Sequence, residues 1–231
     1  MLSSLAAAAL FTALAKADNT QHTLSIQQSA PPNATAVPAD FFSFSWETAY
    51  LPSFDNDFSE NIINSIYARM SKPIIIRIGG TSGDLIKVDL NQEETRRCVS
   101  GPSCPYSSQD TWSVGKSYFD GFRRFQNATM TIQAPMTPVE PDSKDEDWIP
   151  NSMLYIHQAY NALGKERVNA IALGNEPDYY SYGVEQYVER ALKIENRTIE
   201  ELGLEGEDRR IFELGDIGWT VIKQRDDDFG L

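Results

Sequence analysis

The spacing of apolar residues changes period many times along this chain, and each change marks an expected element. Thr23-Leu24-Ser25-Ile26-Gln27 alternates apolar and polar, the mark of a half-buried strand. Phe41 to Glu47 is aromatic-rich and strand-like, and it ends in a carboxylate. Asp57 with Glu60 resembles a capping box, and Ile62, Ile63, Ile66, Tyr67 and Met70 follow at helical spacing. Pro73 to Ile78 reads as a strand buried on both faces, with the Gly-rich Gly79-Gly80-Thr81-Ser82-Gly83-Asp84 directly after it. Residues 85–113 form a long connection. Tyr118, Phe119, Phe122 and Phe125 mark a helix, and Thr129 to Ala134 a strand. The acidic, Pro-rich stretch 135–150 reads as a solvated loop. Met153, Ile156, His157, Tyr160 and Leu163 then share a helical face, where His157 reads as a packed histidine.

Val168 to Leu173 is a short apolar strand broken by Gly174, and Asn175-Glu176-Pro177-Asp178 follows where it emerges. Val184, Tyr187, Val188, Ala191 and Leu192 define an amphipathic helix, and Thr198 with Glu201 predicts a second capping box. Ile211 to Gly215 is the last expected strand, and Trp219 to Leu231 has no clear period. Strands therefore begin near 41, 73, 129, 168 and 211 with helices between them. That alternation predicts an α/β fold with a parallel sheet. Carboxylates or glycines fall after several strands, the side on which such folds bind ligands. A doubly wound open sheet is the alternative, but Gly79 to Asp84 matches neither the dinucleotide fingerprint nor the P-loop.

Charge narrows the partners. With 33 acidic and 20 basic residues the net charge is −13, which makes nucleic acid and anionic membrane surfaces poor partners. Leu5 to Leu14 is apolar but too short to span a bilayer, and Ala15-Lys16-Ala17 fits a cleavage site, so residues 1–17 read as a secretory signal. The expected location is extracellular, with no membrane association after cleavage. Asn33, Asn127 and Asn196 each begin a glycosylation triplet. Cys98 and Cys104 enclose a small loop, and in an oxidising compartment a disulfide is the default. Two Cys and two widely separated His make a metal site a poor reading, and no cofactor is implied.

A buried strand ending in a fixed carboxylate is how a (β/α) barrel presents a catalytic acid. Pro177 biases Glu176 away from the helical region, so the expected backbone there is extended or turning. A plain surface turn is the alternative, since Asn, Pro and Asp are common turn residues. Ile76-Arg77-Ile78-Gly79-Gly80-Thr81 after one strand and Gly174-Asn175-Glu176-Pro177 after another resemble glycoside hydrolase family 79. That family contains β-glucuronidases and heparanase, within a clan of retaining glycosidases on (β/α)₈ barrels, and the likeness covers roughly residues 20–217.

The resemblance implies roles. Glu176 falls at the general acid/base, and Asn175 at the residue that hydrogen-bonds the sugar 2-OH. Glu47, Gly80 and Thr81 fall where the family contacts the terminal sugar, and Arg77 beside the nucleophile, with a structural ion pair as its alternative. The nucleophile itself lies on the seventh barrel strand in that clan, and the expectation is that it is absent from this chain. Glu195, Glu200, Glu201, Glu205 and Glu207 sit on helix or loop, and Glu213 on the fifth strand. The expected organisation is a signal over 1–17, an N-terminal segment with a sandwich strand over 18–40, a partial barrel over 41–217 and an irregular tail over 218–231. The fold is thus expected to be an incomplete TIM barrel of about five β/α units. The function expected is retaining hydrolysis of β-glucuronides, inactive for this chain alone. The alternatives are a non-catalytic secreted carbohydrate-binding fragment and a glycosidase acting on a neutral glycoside.

Overall fold

All five strands expected for the sheet form. A computed structural model describes residues 33–38, 41–100, 110–136, 145–179 and 183–214. The chain divides into two compact units, Met1–Val37 and Pro38–Leu231, and the sheet and its helices belong to the second. Strand β1 is Ser43–Glu47, and it leads through a 3-10 turn into helices α1, Leu51–Phe54, and α2, Asp57–Met70. Strand β2 is Ile74–Gly79, followed by the short helix α3, Thr81–Asp84. Next come three short strands, β3 at Ile86–Val88, β4 at Arg96–Cys98 and β5 at Trp112–Val114, then a 3-10 helix over Lys116–Asp120 and α4 at Gly121–Arg124. Strand β6 is Ala128–Ala134 and helix α5 Asp145–Leu163. Strand β7 is Val168–Leu173, helix α6 Val184–Leu202 and strand β8 Phe212–Glu213.

The main sheet has the order β1-β2-β6-β7-β8, with every neighbouring pair parallel. Its strands follow chain order without reversal. A doubly wound sheet needs a reversal point, so the alternative is set aside, and the order is that of consecutive barrel units. Among the described residues the sheet does not close: β1 pairs only with β2, and β8 only with β7.

The period of two gives the sheet two different faces. Ile76 and Ile78 on β2, Met130 and Ile132 on β6 and Ile171 on β7 are fully buried in the core. Against them pack Tyr118, Phe119 and Phe122, together with Tyr155 and Ile156 of α5 and Ile194 of α6. The other face aligns Ser45 with Arg77, Arg77 with Thr131, and Thr131 with Ala170. Arg77 and Ile75 are only half-buried, so β2 is not buried on both faces as its composition suggested. Outside β1, Phe44, Trp46, Phe54, Phe58, Ile62 and Ile63 line a groove of about 340 Å³.

Several local expectations are corrected. The cap of α2 is Asn56, whose Oδ1 accepts the Ser59 N–H at 3.0 Å, rather than Asp57. Asp57 and Glu60 lie in the first turn, where negative charge suits the helix dipole, and both accept from Arg124 (3.0 and 2.8 Å). Helix α5 begins inside the stretch read as a loop, with Trp148 buried and Pro150 within the helix; residues 137–144 lie outside those described. Thr198 begins no helix. It is buried in the C-terminal part of α6 with its hydroxyl 3.7 Å from Met153 Sδ, and α6 ends at Gly203, which adopts φ +63°. The long connection 85–113 contains the small sheet β3-β5-β4. Arg96 lies over the rings of Tyr50 and Trp112, 5.4 and 5.0 Å from their centres, and donates to the Ala49 carbonyl, which fastens this sheet beside the β1 exit. Cys98 ends β4; Cys104, the strand expected at Leu24–Gln27, the signal and the tail lie outside the described residues.

His157 lies half-buried on α5, and its Nε2 meets Glu201 Oε2 of α6 at 2.6 Å. Arg197 first, and His157 second, hold the Glu201 carboxyl below the ordinary carboxylate range. A depressed carboxyl pKa contributes stability above the unfolded-state value and loses it as pH falls through the folded one. Glu201→Gln should therefore flatten the fall in melting temperature on acidification below the normal glutamate pKa, in melts followed by circular dichroism. An unchanged pH dependence would show that this pair contributes nothing.

Candidate active site at the strand exits

Strand β7 ends at Leu173, and the chain leaves it through Gly174 at φ +86°. Two residues later Glu176 takes φ +48°, one of two non-glycine residues with positive φ among those described. Pro177 disfavours the right-handed helical region for Glu176, and the chain takes the left-handed one instead of an extended conformation. A bulky residue there is strained, and such strain persists only where its surroundings impose it. The 3-10 turn Pro177–Tyr179 follows, closed by the Tyr179 N–H donating to the Glu176 carbonyl at 2.9 Å. Tyr187 of α6 donates to the Leu173 carbonyl at 2.9 Å and fixes the end of the strand. The Glu176 side chain is half-buried.

Asn175 is held by its neighbours. Arg77 on β2 donates to Asn175 Oδ1 at 3.1 Å, which leaves the amide nitrogen to donate to Glu176 Oε2 at 3.2 Å. Arg77 also reaches Gln133 Oε1 on β6, at 3.4 Å. The Asn175 N–H donates to Asp84 Oδ2 at 3.2 Å.

A second group assembles at the exits of β1 and β2. Glu47 Oε2 accepts the Ser82 hydroxyl at 2.5 Å and the Ser82 N–H at 3.1 Å. The Ser82 Oγ in turn accepts the Ala49 N–H at 3.0 Å. Gly80, at φ +89°, lies so close that a Cβ there would stand 2.5 Å from the Glu47 carboxyl carbon. Glycine therefore serves both a backbone conformation and a close approach. Thr81 opens α3, half-buried. Gln133 lies beneath both groups: a Cβ on Gly79 would be 2.7 Å from its Oε1, and one on Gly83 2.6 Å from its Nε2.

The structure thus brings Glu47 against Gly80, Arg77 against Asn175, and the Asn175 amide against Glu176. Through its bond to Oδ1, Arg77 orients the Asn175 amide. Ser82, Asp84 and Gln133 are site residues that the sequence patterns did not point to. The first two sit inside the Gly-rich run after β2, and a glutamine at the end of an apolar strand was a visible signal for the third. Among the described residues no group of His, Cys, Asp and Glu could hold a metal ion, and no helix is long and apolar enough to cross a membrane. Asn33 and Asn196 are exposed, whereas Asn127 is half-buried and donates its amide to Asn64 Oδ1 at 2.9 Å.

A half-buried carboxyl beside an oriented carboxamide can exchange a proton with a ligand oxygen while the amide grips a neighbouring hydroxyl. No family model and no curated protein matches the chain. Among solved structures, it is similar to a 4-O-α-L-rhamnosyl-β-D-glucuronidase from Fusarium oxysporum 12S, solved with Rha-GlcA. The TM-score is 0.56 at 19% identity, over 76% of this chain. The match spans 37% of that enzyme's length. At this identity the likeness establishes a shared α/β fold.

Proposed function

We propose that the chain carries the acid/base face of a retaining glycoside hydrolase acting on β-glucuronides. The observation that carries this reading is Glu176 held at φ +48° beside an Asn175 whose amide Arg77 has turned toward it, at the exit of a parallel strand. Glu176 protonates the leaving glycosidic oxygen and then deprotonates the attacking water. Asn175 grips the hydroxyl next to the reacting carbon, a contact that tightens as charge develops. Glu47, with Gly80 and Thr81, borders the terminal sugar.

Double displacement also needs a second carboxylate about 5–5.5 Å from the acid. Among the described residues we assign that role to none. Glu195, Glu200 and Glu201 belong to α6, Glu205 and Glu207 to the turn after it, and Glu213 is exposed on β8. The chain alone is therefore expected to bind sugar without turning it over. Secretion, a Cys98–Cys104 disulfide and glycans on Asn33 and Asn196 belong to the same proposal.

At a net charge of −13 the protein repels an anionic sugar at long range, so recognition has to come from local donors and strengthen with added salt. The test is calorimetric titration of the chain with a non-hydrolysable phenyl β-thioglucuronide and, in parallel, the thioglucoside. Binding of the glucuronide near millimolar Kd, weakened about tenfold or more in Asn175→Ala, is the expected result. Preference for the glucoside would move the substrate to a neutral glycoside. Absence of binding to either would remove the proposal.

A further inference from the structure

The carboxylate of Asp84 has no task in the proposed acid/base chemistry, yet it is 5% exposed and sits at the centre of the strand exits. Its Oδ2 accepts the N–H of Asn175, after β7, and its Oδ1 accepts the N–H of Met136, after β6, both at 3.2 Å. Asp84 itself ends α3, the helix that follows β2. One side chain therefore ties together the exits of three strands. We propose that Asp84 is the positioning residue of the acid/base turn, fixing the main chain of Asn175 and through it the direction of Glu176.

The chemistry requires a carboxylate at this point. Gly174 at φ +86° turns the backbone out of β7, so the Asn175 N–H is past the strand ladder and needs an acceptor of its own. Two N–H groups converge on Asp84 from different segments, and an ionised carboxylate accepts through both oxygens. A carboxamide turns an NH₂ toward one of the two donors and loses that bond. Arg77 and Asp84 both belong to the β2 exit, and between them they grip Asn175 by side chain and main chain. With Asn175 held at both points, the strained Glu176 that follows has little freedom to turn its carboxyl away. This inference rests on Glu176 as the acid/base, since the turn is worth holding only if its carboxyl has to be aimed.

The test uses the full, isotope-labelled chain. In the wild type, scalar couplings across the hydrogen bonds should link Asp84 Cγ to the amide nitrogens of Asn175 and Met136. Asp84→Asn should move the Asn175 amide proton upfield and speed its exchange by about 10- to 100-fold. Ile171 and Leu173, inside β7, should keep their protection, and phenyl β-thioglucuronide affinity should fall by about tenfold. A general loss of protection across β7, with affinity falling in step, would reduce Asp84 to a structural tie and overturn the positioning role. So would an unchanged Asn175 amide in the variant, or missing couplings in the wild type, a measurement that stands even if the variant does not fold. Wild-type chain that binds no glucuronide would sink the functional reading, while the amide signals still report on Asp84.

Discussion

Glu176→Gln is expected to lower kcat/KM toward phenyl β-glucuronide by about 10²–10⁴-fold, in a form of the protein that supplies the second carboxylate. Glutamine matches the shape of glutamate and still accepts from the Asn175 amide through Oε1, so the turn stays intact and stability barely changes. What disappears is the proton. Phenolate is a poor leaving group and needs that proton as the glycosidic bond breaks. Dinitrophenolate does not, so the first step on a dinitrophenyl glucuronide should survive the substitution. The second step still lacks its base, and the expected trace is a burst followed by slow turnover. Azide, which attacks without giving up a proton, should restore the steady rate. An equal loss on both substrates, or full activity on the phenyl glucuronide, would remove Glu176 from the acid/base role.

Gly80→Ala should produce the second large effect, a loss of about 2–5 kcal/mol in urea unfolding together with the loss of sugar binding. The position has φ +89° and ψ −175°, a region that is almost exclusively glycine's and costs about 1–3 kcal/mol for other residues. An added methyl would also lie 2.5 Å from the carboxyl carbon of Glu47, forcing that side chain off Ser82. Gly164 provides the control, with φ +75°, ψ 151° and nothing within 4 Å of the added carbon. Gly164→Ala should cost the backbone strain alone. If the two substitutions cost the same, the contact between Gly80 and Glu47 contributes nothing to the fold. Glu47→Ala combined with Gly80→Ala should recover part of the difference, because the clash then has no second partner.

Both effects originate in features legible in the amino-acid sequence. The Gly-rich run after β2 and the Asn-Glu-Pro after β7 stand out because glycine and proline interrupt apolar runs, and strand ends in parallel α/β folds are where ligands bind. Less legible are features whose local signal is ambiguous. Thr198 with Glu201 has the composition of a cap, but the apolar face of α6 continues through it to Leu202, and packing against Met153 prevails. The strands of the small sheet are three residues each, too short to show a period, and they form because Trp112, Val114 and Ile86 bury against the core.

By itself the sequence determined the alternation of strand and helix, the positions of the five sheet strands and the residues that end them. Those properties are local: a period or a turn residue acts within a few positions of itself. Tertiary structure alone decided which of those residues meet. Arg77 and Asn175 are separated by 98 positions and Asp84 and Asn175 by 91, and no local pattern couples them. Their meeting depends on the register of the parallel strands, and a slip of one residue would turn Arg77 to the opposite face of the sheet.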